Sequence, residues 1–218
     1  MTESITLYHG TSDGFLSGIM KTGLLPRHNS QGNFLGINVP SHPDLVYMKN
    51  DPFAAEYYAV NSALVNNHSH GVVLTIDTNA LNKEVLRVDE NLIDLEEIGQ
   101  YNEVDIERRN ESRKRAKYDK RWKTSLKKIG SCSHLGKITS DKIVDVKKIV
   151  PEQSTYFIPG VREMSEKVTR SQAIKAVAIN LNYISDKGKW GYWNGYKWRY
   201  MKLLVRKGTN FEIEFENE

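Results

Sequence analysis

The sequence predicts an α+β fold with a core over residues 1–150 and a C-terminal extension over 151–218. Three observations support this prediction. Strand patterns alternate with helical patterns throughout the core, and Pro151 then punctuates the chain. An Asn194-Gly195 pair between runs of Tyr and Trp is typical of a β-hairpin in the extension.

The first elements are a strand, a turn and a helix. Residues 5–8 alternate as a strand that runs into a His9-Gly10-Thr11 turn. Gly23-Leu24-Leu25-Pro26 ends the following helix, whose apolar spacing is set by Phe15, Leu16, Ile19 and Met20. The imidazole of His9 lies beside Gly10, where a ligand can approach the backbone closely. This pair is therefore suited to holding a planar polar group.

A second strand and helix follow. Residues 45–48 are predicted as a strand, and Asp51 and Pro52 have the residue types of an N-cap and a first helical position. In the helix, Ala54 and Tyr58 are four residues apart and share one face. A small residue beneath an aromatic leaves room for a flat ring to stack on that aromatic.

The remainder of the core is predicted from composition. Residues 71–77 have the composition of a buried strand, and residues 81–88 carry a further apolar set. The acids that follow residue 88 are interpreted as a turn and the cap of a short helix over 92–98. A late strand is predicted over 143–150.

The segment over residues 104–129 is the most basic part of the chain, and its strong helix formers predict a single helix. Its apolar row consists of Tyr118, Trp122 and Leu126. Only Glu111 and Asp119 oppose eleven basic residues, which are Arg108, Arg109, Arg113, Lys114, Arg115, Lys117, Lys120, Arg121, Lys123, Lys127 and Lys128. Such asymmetry favours a polyanion, although a solvated helix face is the alternative. The expected nucleic-acid contacts are Arg113, Lys114, Arg115 and Lys117.

The extension combines a helix with an aromatic ribbon. A helix is predicted over 161–184, followed by the hairpin, and the clean alternation of 211–215 predicts one edge strand. Aromatic and basic residues interleave on the hairpin, so Trp193 and Trp198 are expected to stack on unpaired bases. The alternative is a hairpin whose aromatic side chains pack on the preceding helix.

Two of these motifs resemble those of the ADP-ribosyltransferase superfamily, in the branch that includes poly(ADP-ribose) polymerases and RNA 2′-phosphotransferases. They are His9-Gly10-Thr11, and the strand residue Tyr47 followed by a helix with Ala54 and Tyr58. The resemblance implies a split β-sandwich with flanking helices. It also implies NAD bound by His9, Gly10, Thr11, Tyr47 and Tyr58, with Tyr58 stacking on nicotinamide and Tyr57 as the alternative. Arg27 is expected to clamp the diphosphate by bidentate hydrogen bonds.

A third segment resembles this superfamily in part. Residues 130–138 look like the late strand and Gly-x-Ile turn of some bacterial and phage members, where many transferases carry a catalytic Glu. This strand has no Glu and carries Ser131, Ser133 and His134 instead. The expected catalytic residues are His9, Tyr58, Ser133 and His134. Glu103, in a Tyr-Asn-Glu sequence, is the alternative acid.

The resemblance implies a transferase that uses NAD as a substrate, without a metal, and moves ADP-ribose to a macromolecule. Single-stranded RNA or DNA is the favoured acceptor, and a protein is the second choice. The open alternatives are an RNA 2′-phosphotransferase, which Tyr47 disfavours because that family tends to carry His there, and a non-catalytic nucleic-acid-binding module. By analogy, small transferases of this kind often act as toxins or in phage defence, which would imply an antitoxin partner.

Composition limits the classes of protein to which the chain can belong. The chain has 218 residues, a net charge of +4 and 39% hydrophobic residues, and no apolar run reaches the roughly 18 residues that span a bilayer. Its start lacks a signal-peptide pattern, and Cys132 is the single cysteine. We therefore expect a cytoplasmic protein without membrane contact. His68 and His70 are interpreted as loop residues rather than metal ligands.

Overall fold

The computed structural model describes residues 5–26, 42–99, 106–154, 191–193, 198–205 and 211–215. This part of the chain is a mixed α/β structure whose central sheet has six antiparallel strands in the order β4-β5-β2-β1-β3-β6. The strands are β1 (Thr6–Ser12), β2 (Leu45–Lys49), β3 (Gly71–Asp77), β4 (Leu86–Val88), β5 (Ser131–Leu135) and β6 (Ile143–Ile149). The helices are α1 (Asp13–Thr22), α2 (Pro52–Val65), α3 (Glu90–Ile98), α4 (Ile106–Ala116) and α5 (Trp122–Ile129). The predicted α+β class is confirmed at this level.

The His-Gly-Thr segment is part of a strand, so the predicted turn is wrong. β1 pairs with β3 over its whole length, from Thr6 opposite Asp77 to Ser12 opposite Gly71. This continuous ladder holds His9, Gly10 and Thr11 extended. The helix signals around β1 are confirmed, because α1 starts directly after the strand and the Gly23 N–H donates to the Ile19 carbonyl at its end.

The caps of α2 and α3 form as the sequence predicts. Asp51 accepts a hydrogen bond from the Phe53 N–H at 3.0 Å, and Pro52 opens the helix. Asp89 accepts from the Asn91 N–H at 3.0 Å at the start of α3. Each cap satisfies a backbone donor that the helix leaves unpaired.

The main core lies against the sheet. It contains Leu7, Met48, Leu74, Ile76, Leu86, Trp122, Leu126, Cys132 and Ile138. Side chains from β1, β2, β3 and β5 contribute to it, so the central strands are fixed by apolar burial on their alternating residues. This sheet carries several residues of the candidate site.

The basic segment forms two helices, and the prediction of one helix over 104–129 is wrong. α4 ends at Ala116 and α5 begins at Trp122, with Tyr118 77% exposed between them. Two tertiary features account for the break. The Arg87 guanidinium donates to the Lys117 carbonyl at 2.7 Å, and the Val88 N–H donates to the Asp119 carbonyl at 3.0 Å. The connection is therefore held against β4 rather than continued as helix.

A second sheet contains the described strands of the C-terminal part of the chain. β7 (Gly191–Trp193), β8 (Trp198–Val205) and β9 (Phe211–Phe215) are antiparallel in that order, so β9 is an edge strand. Trp193 lies opposite Trp198 in the register. The predicted helix over 161–184 and the Asn194-Gly195 turn lie outside the described residues. The six-stranded sheet uses residues 6–149 and the three-stranded sheet residues 191–215.

Candidate active site

The two central strands diverge near His9. β1 pairs with β3 at seven positions but with β2 at only one in the described ladder, Tyr8 opposite Lys49. The backbone edge of β1 beyond Tyr8 is therefore not paired in register with β2. Backbone N–H and C=O groups that have no partner in a sheet ladder need another partner, which a ligand can supply.

The side chain of His9 connects the diverging strands. Its Nδ1 lies 2.8 Å from the main-chain oxygen of Tyr47 on β2. Because a carbonyl oxygen only accepts, Nδ1 carries the proton, and in the neutral ring Nε2 is then an acceptor. The ring is held in one orientation, which is what binding a hydroxyl or amide of a ligand requires.

Gly10 brings helix α2 directly against β1. A Cβ at this position would lie 2.2 Å from the Ala55 carbonyl oxygen and 2.9 Å from the Tyr58 Cβ. The missing side chain allows this close approach. The structure therefore brings the two predicted motifs, His9-Gly10 and Tyr58, into one place. Thr11 is buried in the same strand.

The ring of Tyr58 is half-buried and already contacts a cation. Lys49 Nζ lies 5.4 Å from its centroid, and the Tyr57 ring meets its edge at 5.0 Å between centroids. The face of a tyrosine ring attracts positive charge. A cationic heteroaromatic ring would make the same kind of contact and stack as well.

The hydroxyl of Tyr47 lies in a buried, acidic environment. It accepts a hydrogen bond from the His42 N–H at 3.0 Å. Burial, together with the nearby charges of Glu90 and Asp89, raises the pKa of Tyr47 well above its ordinary value. The hydroxyl therefore stays protonated and acts as a fixed donor.

Of the residues expected on β5, Ser133 lies on the face of Tyr47 and His134 does not. Ser133 is opposite Tyr47 in the register, and its hydroxyl donates to the Val88 carbonyl at 2.8 Å. His134 is opposite Val46, and strand neighbours point to opposite faces. Its Nδ1 is 3.2 Å from the Gly136 carbonyl, and burial lowers its pKa. Both side chains have structural partners, and Ser133 shares the face of Tyr47 whereas His134 lies on the other face of the sheet.

Sequence reasoning missed Glu90. The acids after β4 were interpreted as a cap, and Asp89 fulfils that role. Glu90 is only 6% exposed, and its Oε2 has no hydrogen-bond partner among the described residues. Burial, followed by the charge of Asp89, raises its pKa to about 7. An acid in the first turn of a helix is ordinarily explained by the helix dipole, so the sequence carried no signal for the burial of Glu90.

Other predicted site residues fall outside this geometry. Arg27 and Glu103 lie outside the described residues. His68 Nδ1 is 2.8 Å from the Ser12 hydroxyl, and His70 Nδ1 is 3.0 Å from Asp13. No group of three or more His, Cys, Asp or Glu side chains that suits a metal ion occurs in the described part of the chain. Among those same residues, no helix combines the length and apolarity needed to cross a bilayer.

The basic helices are largely neutralised by acids from elsewhere in the chain. With acids in the described part of the chain, eight of the eleven basic side chains form ion pairs: Arg108, Arg109, Lys114, Arg115, Lys117, Lys120, Arg121 and Lys128. Glu96 and Glu97 on α3 each accept two of them. Glu111 and Asp119 are the acids within the segment itself, but the fold also brings acids of α3 alongside α4 and α5.

The four predicted nucleic-acid contacts, on α4 and just after it, also have partners within the protein. Lys114 pairs with Glu111, Arg115 with Glu97 and Lys117 with Asp44, while the Arg113 guanidinium donates to Asn110. Exposed ion pairs contribute little free energy, so phosphates can compete for these side chains. Trp193 and Trp198 lie on paired strands of the second sheet.

Comparison with models of known protein families and with curated protein sequences finds no match for this chain. The interpretation of the site therefore depends on its own geometry.

Proposed function

We propose that this protein is an NAD-dependent ADP-ribosyltransferase. The observation that carries the proposal is the divergence of β1 and β2 at His9, with Tyr58 of α2 held against Gly10. The support is that His9, with its ring held by the Tyr47 main-chain oxygen, directly precedes Gly10, against which the Cβ of Tyr58 packs. A nicotinamide ring with its carboxamide needs these groups: an aromatic to stack on, and backbone donors and acceptors for the amide.

The reaction follows from the chemistry of NAD. The bond between the ribose C1′ and the nicotinamide nitrogen breaks, and its electron pair leaves with the nicotinamide, which becomes neutral. Positive charge then develops on the ribose, and a nucleophile of the acceptor attacks C1′ and loses its proton. Tyr58 would hold the leaving ring, Gly10 its carboxamide, and His9 a ribose hydroxyl through Nε2. Such fixed groups accelerate the reaction when they match the transition state better than the ground state.

The experiment is incubation with NAD labelled in the adenylate half, with nicotinamide release followed in parallel. We expect nicotinamide to appear only with the protein, and the label to move to one acceptor when RNA, DNA and protein are offered together. A 2′-phosphotransferase would instead require a 2′-phosphorylated RNA before NAD is consumed. A protein that binds nucleic acid but releases no nicotinamide would contradict the proposal.

Single-stranded nucleic acid is our proposed acceptor. The antiparallel β7–β8 ribbon, with Trp193 opposite Trp198, supports it because base stacking on aromatic residues tolerates any sequence. The ion pairs on α4 and α5 favour a protein acceptor as the second candidate, since they reduce the positive charge offered to phosphates.

The salt dependence of nucleic-acid binding distinguishes a nucleic-acid acceptor from a protein acceptor. Each phosphate neutralised on a single strand steepens the log-log salt dependence of binding by about 0.7, so four contacts predict a slope of about −3. Replacing Arg113, Lys114, Arg115 and Lys117 with Ala should flatten that slope. Trp193→Ala or Trp198→Ala should weaken binding at unchanged slope, because stacking releases few ions. Fluorescence anisotropy of labelled RNA and DNA measures both, and an absence of binding at low salt would favour the protein acceptor.

A further inference from the structure

Two lysines of α5 differ from the other basic residues of the segment over 104–129. Eight of the eleven basic side chains there are paired with acids, and Arg113 donates to Asn110. Lys123 and Lys127 are exposed, and neither has an acidic partner among the residues that the structure describes. They are four residues apart in the helix and therefore share one face. The unopposed positive charge of α5 is concentrated on that face.

Exposed aromatic side chains flank α5. Tyr118 precedes the helix by four residues and is 77% exposed. At the other end, the Asn50 N–H donates to the Gly130 carbonyl at 3.1 Å, and the Asn50 amide donates to the Leu126 carbonyl at 3.3 Å. Phe53 follows Asn50 by three residues and is 67% exposed in the first turn of α2. The two most exposed large hydrophobic side chains of the described residues therefore lie at opposite ends of α5.

The end of α5 at Asn50 leads to the candidate site. Lys49 directly precedes Asn50, and its Nζ lies 5.4 Å from the centroid of the Tyr58 ring. The eight residues of α5 make a helix about 12 Å long. A ligand that lies along this helix and passes Phe53 is brought to the strand end whose lysine contacts Tyr58.

We propose that the surface formed by Tyr118, Lys123, Lys127 and Phe53, here called the α5 surface, binds single-stranded nucleic acid and leads it to Tyr58. The lysines neutralise phosphates, and the two rings stack on unpaired bases. The inference rests on the proposed function and adds the place where its acceptor binds. An acidic peptide would satisfy the lysines, but it offers no series of flat rings to the exposed aromatics.

The α5 surface binds phosphate more readily than the basic residues of α4 and its C-terminal end. A phosphate that approaches Lys127 replaces only water among the described groups. One that approaches Lys117 must first displace the Asp44 carboxylate, which lies 2.7 Å from the Lys117 Nζ. The same displacement is required at each paired side chain, so the two lysines of α5 begin with the advantage.

The charge of the α5 surface is tested by fluorescence anisotropy of a labelled single-stranded oligonucleotide of about 12 nucleotides, with the full chain across a salt series. Replacing both Lys123 and Lys127 with Gln should flatten the log-log slope by about 1.4, because each phosphate contact contributes about 0.7. The matched control replaces Lys21 and Lys83, which are exposed on α1 and before β4, and removes the same net charge. Its slope should change by less than about 0.3. Equal flattening by both pairs would overturn the assignment, because net charge alone would then explain it.

The aromatic side chains are tested in the same assay. Phe53→Ala and Tyr118→Ala should each weaken oligonucleotide binding about 5- to 150-fold at unchanged slope, which is the range for the loss of one stacked ring. Met20→Ala is the control, since it removes an exposed apolar side chain of α1 and should keep the affinity within about twofold. All three side chains are exposed, so the urea unfolding curves should match the wild type. Unchanged affinity in both aromatic variants would overturn the stacking role.

The outcomes separate this inference from the function beneath it. If the wild type releases nicotinamide from NAD and binds the oligonucleotide, but no substitution on the α5 surface alters that binding, the inference fails and the proposed activity survives. If the wild type binds no oligonucleotide at low salt, the inference fails, and nicotinamide release by the same preparation decides the activity independently. Binding of a poly-glutamate peptide that requires Lys123 and Lys127 but not Phe53, in place of oligonucleotide binding, would indicate a protein acceptor and overturn the inference.

Discussion

Gly10→Ala is expected to lower the free energy of unfolding by about 3 kcal/mol, a large part of the stability of a typical domain. The new Cβ would lie 2.2 Å from the Ala55 carbonyl oxygen and 2.7 Å from the Ala59 nitrogen. Both are backbone atoms of α2, so relief requires moving the helix away from β1 rather than rotating a side chain. NAD binding should weaken as well, because Tyr58 moves with the helix.

Gly18→Ala is the matched control for that result. Gly18 lies on the exposed side of α1, and a Cβ there meets nothing within 4 Å. Alanine in a helix interior is favoured over glycine by about 0.5–1 kcal/mol, so this variant should be slightly more stable than the wild type. Urea unfolding curves measure both. Equal stability of Gly10→Ala and the wild type would show that α2 does not contact β1 in this way.

Tyr58→Ala is expected to weaken NAD binding about 5- to 150-fold, because a stacked ring contributes about 1–3 kcal/mol. The ring already holds Lys49 Nζ 5.4 Å from its centroid, so it suits a cationic nicotinamide. Tyr58→Phe keeps the aromatic face and should bind within about twofold of the wild type. Calorimetric titration of NAD measures these affinities.

Tyr57→Ala is the matched control on the same helix. Tyr57 meets the edge of the Tyr58 ring, at 5.0 Å between centroids, and is also half-buried. Its removal should cost clearly less affinity than the removal of Tyr58. A larger loss for Tyr57→Ala would identify Tyr57 as the stacking residue, and unchanged affinity in both Tyr58→Ala and His9→Ala would contradict this assignment of the site.

Local signals in the sequence predicted where helices begin better than they predicted which strands pair with one another. The caps at Asp51 and Asp89 depend on the chain within two residues of them, and both formed as expected. The turn at His9-Gly10-Thr11 was wrong because the ladder with β3, more than sixty residues away in sequence, extends the strand. Glycine beside histidine indicates a turn only when no distant strand pairs with it.

Charge was the least predictable property. The basic segment was evaluated against the acids within it, whereas Glu96 and Glu97 on α3 neutralise much of it in the folded chain. Glu90 shows the same limitation, because its burial and its raised pKa arise only in the folded chain. Sequence gives the residue types and their order, but an ionisable group acquires its properties from residues that folding brings together.

The central claim is that the nicotinamide of NAD lies on Tyr58 beside Gly10. The most direct test compares titrations of NAD and of ADP-ribose, which lacks nicotinamide, into the wild type and Tyr58→Ala. Tyr58→Ala should weaken NAD binding about 5- to 150-fold and change ADP-ribose binding by less than about twofold. An equal loss for both ligands, or an undiminished affinity for NAD, would contradict it.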